Sequence, residues 1–156
     1  MNDVEELRYL ILALQREGNR RFAAGLRPLD LTPAQGEALS LIATHEPMTL
    51  NGLGGLLVCD SGTNPSRIVD RLAASGLVER ETDPDDRRQV RLTVTPLGRD
   101  RAAQVHAVED ELDGMLAELV GDQPTEPALT LLRSMAAHFP AGRALQRRQQ
   151  LTAHSP

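Results

Sequence analysis

Aromatic side chains are scarce in this chain, which has one Tyr, two Phe and no Trp among 156 residues. Its core must therefore come from Leu, Val, Ile and Ala, which suits packed helices. Cysteine is nearly absent as well. The single Cys59 excludes an intrachain disulfide and a multi-cysteine zinc site. No apolar run approaches the ~20 residues that a membrane span needs, and the N-terminal stretch has no signal-peptide pattern. The expectation is a cytoplasmic protein with no membrane partner. Lysine is missing altogether, so all 17 basic side chains are arginine. The bland reading of the bias is a GC-rich genome. Its physical consequence is that every cationic contact is a planar guanidinium, able to offer paired donors to a phosphate or a guanine.

At 156 residues the chain has the length of one domain that can bury a core without disulfides or metal. The net charge of −5 argues mildly against a nucleic-acid partner, so its distribution matters. Residues 1–60 and 102–156 each carry an excess of three acids. Residues 61–101 carry eight arginines against seven acids. Only the middle of the chain is not acidic, a pattern that lets one surface meet phosphate while the rest stays repulsive.

Helical periodicity is plain at the N-terminal end, where Val4, Leu7, Leu10, Ile11 and Leu14 place one apolar stripe on a helix over about 3–24. Gly25 and Pro28 close it. Thr32 and Pro33 supply an N-cap and a first-turn proline for a second helix with a broad apolar face from Ala38 to Ala43, stopped by Pro47. Met48–Leu50 is long enough only for a bridging strand. Leu50, Leu53, Leu56 and Leu57 then suit a short helix over about 50–58, weakened by Gly52, Gly54 and Gly55. Residues 59–62 read as a turn. The next helix, about 63–74, has Asn64-Pro65 at its start, buries Ile68, Val69 and Leu72, and ends at Gly76.

Residues 77–82 and 90–95 alternate apolar and polar side chains around the polar turn 83–89, which makes a hairpin with a charged tip. Thr95-Pro96 opens a long helix to about Val120, with Val105, Val108, Leu112, Met115, Leu116 and Leu119 on one stripe. A last helix, about 125–139, is expected to bury Leu129, Leu132, Met135, Ala136 and Phe139. The polar stretch 140–156 is expected to be a flexible tail. The fold class is thus mainly α with a small β-hairpin. The outer helices carry more apolar surface than one small lobe can cover, which implies pairing with a second subunit.

A short helix, a turn, a second helix and a two-stranded ribbon form a winged helix-turn-helix. The second helix of that unit fits the major groove of duplex DNA, about 12 Å wide. Its exposed positions here are Thr63, Asn64, Ser66, Arg67 and Arg71. Asn can pair with adenine, Arg with guanine, and the hydroxyls with bases or phosphates. The arginine-bearing hairpin tip can reach an adjacent minor groove.

The run Ser66-Arg67-Ile68-Val69-Asp70-Arg71-Leu72-Ala73-Ala74-Ser75-Gly76-Leu77-Val78-Glu79-Arg80 resembles the recognition helix and first wing strand of the MarR family. Asp83-Pro84-Asp85-Asp86-Arg87-Arg88, followed by Leu92-Thr93-Val94-Thr95-Pro96-Leu97-Gly98, is similar to that family's wing and the start of its long helix. The resemblance implies a homodimer with interlocking terminal helices and two winged lobes reading a pseudo-palindrome in double-stranded DNA. Residues 32–98 would form the DNA-binding lobe, with 3–24 and 99–139 as the dimerisation region. Arg88 would enter the minor groove, Asp86 would pair with it or a neighbour to hold the tip, and Arg87 would be a phosphate or supporting contact. A small aromatic or phenolic effector is a common partner of the family. Two features depart from its pattern: the glycine-rich helix before the turn, and Pro65.

Other readings stand beside these. Arg67 and Arg71 could be a solvated helix face, Asp70 suits positioning an arginine better than touching DNA, and Arg91 could contact DNA or brace its strand. Cys59 could make the protein redox-responsive, although the neighbouring Asp60 disfavours a thiolate. His106, Glu109 and Asp110 could recruit a metal or simply face solvent; His45, His138 and His154 are dispersed. No phosphate loop, nucleophile motif or carboxylate pair points to an enzyme, and no cofactor is implied. The rival class is a winged-helix protein-interaction module.

Overall fold

A computed structural model describes residues 1–59 and 64–153. Helix α1 (Asp3–Leu26) begins at Asn2, whose side chain accepts from the Glu5 amide, and ends in a 3-10 turn at Arg27–Leu29. Helix α2 (Pro33–His45) starts with a complete capping box. Thr32 Oγ1 accepts from Gln35 N, and Gln35 Oε1 accepts from Thr32 N at 2.9 Å. Strand β1 (Met48–Thr49) leads directly into α3 (Leu50–Gly54), which is shorter than its leucine spacing suggests. Leu56 and Leu57 lie beyond the helix but are buried in the same core, and the glycines stop the helix short.

Helix α4 (Pro65–Ala74) follows, then β2 (Val78–Thr82) and β3 (Val90–Val94). The two long strands pair antiparallel from Val78↔Val94 to Thr82↔Val90, and β1 joins the other side of β3, giving the order β1-β3-β2. Helix α5 (Pro96–Val120) is capped by Thr95 and ends at Gly121. Helices α6 (Glu126–Ala136) and α7 (Pro140–Ala153) complete the described chain. The stretch expected to be a flexible tail is therefore helical to Ala153. Its sequence is rich in Gln and Arg, and what fixes it is long-range polar bonding that no local pattern announces.

One core joins α2, α3, α4, the sheet and the first half of α5. Leu39, Ile42, Leu53, Val69, Leu92 and Val105 are fully buried there, with Leu26 at the end of α1. The expected face of α4 is borne out by Ile68, Val69 and Leu72. The outer helices differ. Val4, Leu10 and Leu14 on α1 are exposed, as are Leu116 and Leu119 on α5 and Leu129, Leu132 and Met135 on α6, with Phe139 just beyond it. The expected burial of the α6 face does not occur within one chain. These side chains leave apolar surface exposed on all three outer helices.

Candidate nucleic-acid interface

The start of α4 is built by two adjacent residues. Asn64 is the N-cap, its Oδ1 accepting from Ser66 N at 2.9 Å, and Pro65 takes the first helical position, where its fixed φ fits and its missing N–H costs nothing. The Asn64 side-chain oxygen is thus committed to the helix, which leaves its NH2 group for an outside acceptor. The two departures from the family pattern meet here. A Cβ on Gly54 would sit 3.2 Å from Pro65 Cγ, so the glycine on α3 gives the proline ring its room. Thr63, expected to share this surface, lies outside the described residues.

Ser66 is half-buried; Arg67 and Arg71 are exposed, one turn apart, on the side of α4 away from its buried stripe. They line one shallow groove with Thr32, Ala34 and Gln35 of α2. Asp70 reaches across to an ion pair with Arg80 on β2. It therefore positions an arginine, as expected, and links the exposed side of α4 to the hairpin.

The hairpin tip is a sequence of side-chain-capped turns. Asp83 N donates to Gln89 O, and Asp83 Oδ1 accepts from Asp85 N at 2.8 Å. Asp86 Oδ1 accepts from Arg88 N at 3.0 Å, and its Oδ2 from Gln89 Nε2 at 3.3 Å. Asp86 does hold the tip, but through the Arg88 backbone and Gln89 instead of an arginine side chain. Sequence reasoning missed Asp83. It is buried, its Oδ2 accepts from Arg91 Nε at 3.0 Å, and Arg91 also lies 3.8 Å from Asp85. The Asp85 N–H and the Arg91 guanidinium hold the Asp83 carboxyl below the usual aspartate value, against the opposing effect of burial. Of the two roles open to Arg91, bracing the strand is the one its contacts fill.

The arginines of this region fall into two sets. Arg80, Arg91 and Arg99 form ion pairs and Arg101 donates to the Leu29 carbonyl. Arg67, Arg71, Arg87 and Arg88 are exposed and, among the described residues, have no ion-pair partner for their side chains. Like-charged guanidiniums left unpaired on a helix and a hairpin tip are an anion-binding surface.

Cys59 is exposed as a residue, yet burial of the thiol and the nearby Glu37 carboxylate push it up to about 11. That upward shift disfavours the thiolate on which a redox role would depend. The carboxylate responsible is Glu37, distant in sequence. His106 Nδ1 pairs with Glu109 Oε2 at 3.0 Å and with Ser40 Oγ at 3.2 Å, closing a contact between α5 and α2. Asp110 does not join them, and no metal-binding cluster occurs among the described residues. No described helix is long and apolar enough to cross a membrane.

Helix, turn, helix and arginine-tipped ribbon define a winged helix-turn-helix regulator. The MarR family model matches residues 31–90, from just before α2 to the first residue of β3. The "Multiple antibiotic resistance protein MarR" of Salmonella typhimurium is 32% identical over 105 residues, 67% of this chain and 72% of that protein. The "Organic hydroperoxide resistance transcriptional regulator" of Bacillus subtilis is 32% identical over 93 residues, and the match spans 63% of its length, a little under two thirds. Among solved structures, a mutant MarR from E. coli complexed with operator DNA superposes with a TM-score of 0.73 at 30% identity, covering 86% of this chain and 96% of that one. The fold is shared with the S. aureus MepR–DNA complex, TM-score 0.76 at 21% identity over 85% and 97% of the two chains. The chain belongs to the MarR family of transcriptional regulators.

Proposed function

We propose that the protein binds duplex DNA sequence-specifically as a homodimer and represses transcription, with Arg67 and Arg71 of α4 in the major groove and Arg87 and Arg88 of the wing on phosphates and the minor groove. The observation that carries this reading is the set of four arginines that, among the described residues, have no ion-pair partner, on the two elements that a winged helix presents to DNA. Asn64, through its free NH2, and Ser66 flank them on α4. Thr63 completes the proposed surface by its place in the sequence.

Residues 32–98 form the DNA-binding lobe in this reading, and 3–24 with 99–139 form the dimerisation region. The exposed leucines of α1, α5 and α6 support the second subunit, because water-exposed apolar surface of that extent is costly unless covered. A two-fold dimer sets its recognition helices about 34 Å apart on successive turns of DNA. A protein seated over two half-sites excludes other proteins from them, which is the basis for repression. The groove between α1 and the start of α2, lined by Tyr9, Leu12, Arg16, Ala23, Pro33 and Cys59, offers apolar walls and a guanidinium to a small aromatic or phenolic effector. Binding there would act by favouring one separation of the lobes over another.

The test is a selection of duplexes from a random pool by the purified protein, followed by footprinting and sedimentation of the complex. Two related half-sites about one turn apart, occupied by two chains, support the proposal. Enrichment of no sequence, or binding by one chain to a single half-site, contradicts it.

A further inference from the structure

We propose that Glu37 and Arg148 form a tether through which α7 sets the position of α4, making Arg148 a positioning residue for DNA binding. This rests on the reading of α4 as the DNA-contacting helix. Residues 55–59, just past α3, lie outside any helix or strand, so their backbone polar groups must find partners elsewhere. They find them on α2 and α7. Glu37, buried in the middle of α2, accepts from Val58 N at 2.9 Å through Oε1 and from Cys59 N at 2.8 Å through Oε2. The Arg148 guanidinium pairs with the same Oε1, and its Nε donates to Leu56 O at 2.7 Å. Arg147 Nε donates to Gly55 O at 2.9 Å. Two side chains of α7 and one of α2 thus hold the backbone of Gly55, Leu56, Val58 and Cys59.

That backbone leads to Asn64, the cap of α4, five positions beyond Cys59. Glu37 is 111 residues from Arg148, so the contact joins the C-terminal helix to the DNA-binding unit. A buried carboxylate depends on its cation. Removing the arginine leaves an uncompensated charge that must recruit water or turn away, and either response releases the two amides it holds. Helix α7 packs on α6, whose apolar side chains are exposed, so a displacement of the outer helices is transmitted to the residues ahead of α4.

The full-length wild type first selects its best duplex from a random pool, and that duplex is the probe for Arg148→Gln, Arg148→Lys and Glu37→Gln. Affinity is read by anisotropy, amide exchange at Val58 and Cys59 by NMR, and folding by circular dichroism. A tether predicts that Arg148→Gln weakens DNA binding about tenfold and speeds exchange at both amides, with helix content kept. Arg148→Lys, which keeps the charge and loses the fork, gives a smaller loss. Binding within twofold of wild type, or a loss that merely tracks the unfolded fraction while both amides stay protected, overturns the proposal. If Arg148→Gln does not fold, a folded Arg148→Lys with wild-type affinity and exchange overturns it equally. Failure of the wild type to select any duplex strikes instead at the reading of α4 as a DNA-binding helix.

Discussion

Asp83 and Arg91 clamp the base of the wing tip, with the guanidinium Nε 3.0 Å from the carboxylate Oδ2 of a buried aspartate. Asp83 turns the chain through the Asp85 amide, Arg91 anchors Asp83 to β3, and Arg87 and Arg88 at the tip are exposed.

Removing the clamp should disorder the tip and spare the lobe. Asp83→Ala is expected to weaken DNA binding about three- to tenfold with unchanged helix content, measured by anisotropy and circular dichroism. The pH dependence has a definite sign. The folded Asp83 value lies below its ordinary 3.8, so the clamp's contribution is fully present above that value and is lost as pH falls through the lower folded value. Wing order, followed by the amide signals of Arg87 and Arg88, is expected to stay constant from about pH 8 to pH 5 and fail only under strongly acidic conditions.

Cys59 should be a poor nucleophile. With the thiol pushed up to about 11 by burial and then by Glu37, iodoacetamide at pH 8 is expected to alkylate it well over tenfold more slowly than a free cysteine. Glu37→Gln removes the negative charge beside the sulfur and is expected to speed the reaction. Alkylation of the wild type at the rate of glutathione would refute this account of the thiol.

Gly98 carries a tight joint between the winged lobe and α5. A Cβ there would lie 1.8 Å from the Leu77 carbonyl oxygen, a backbone atom just ahead of β2 that has no free rotation to yield. Gly98→Ala is expected to destabilise the fold by about 3 kcal/mol, read as a lower thermal unfolding midpoint. An unchanged midpoint would show that the two backbones separate more easily than their packing indicates.

Most of this architecture is legible in the sequence because it is local. Thr32-Pro33, Asn64-Pro65 and Thr95-Pro96 mark three helix starts, and the structure uses each as a cap followed by proline. The alternation around 83–89 gives the hairpin, and Ile68, Val69 and Leu72 identify the inner face of α4. What escapes the sequence depends on distance along the chain. Helix α7 has few apolar residues to betray it, and its Arg147 and Arg148 bond to a segment about ninety residues earlier. Arg87 and Arg91 look alike in sequence, and the placement of Asp83 and Asp85 is what engages Arg91 while Arg87 has no ion-pair partner among the described residues. The stripe on α6 is a true apolar face, but the described residues of the chain leave it exposed.

The most direct test of the central claim is the salt dependence of DNA affinity, for the wild type and for a variant with Arg67, Arg71, Arg87 and Arg88 all changed to Ala. If these four bind DNA, log affinity for the selected duplex should fall steeply with log salt in the wild type. The variant should bind far more weakly, with a slope shallower by about one for each phosphate that the four side chains no longer neutralise, and its dimer and thermal midpoint should be unchanged. A variant that keeps both the affinity and the slope would contradict the account and place the DNA-binding surface elsewhere on the molecule.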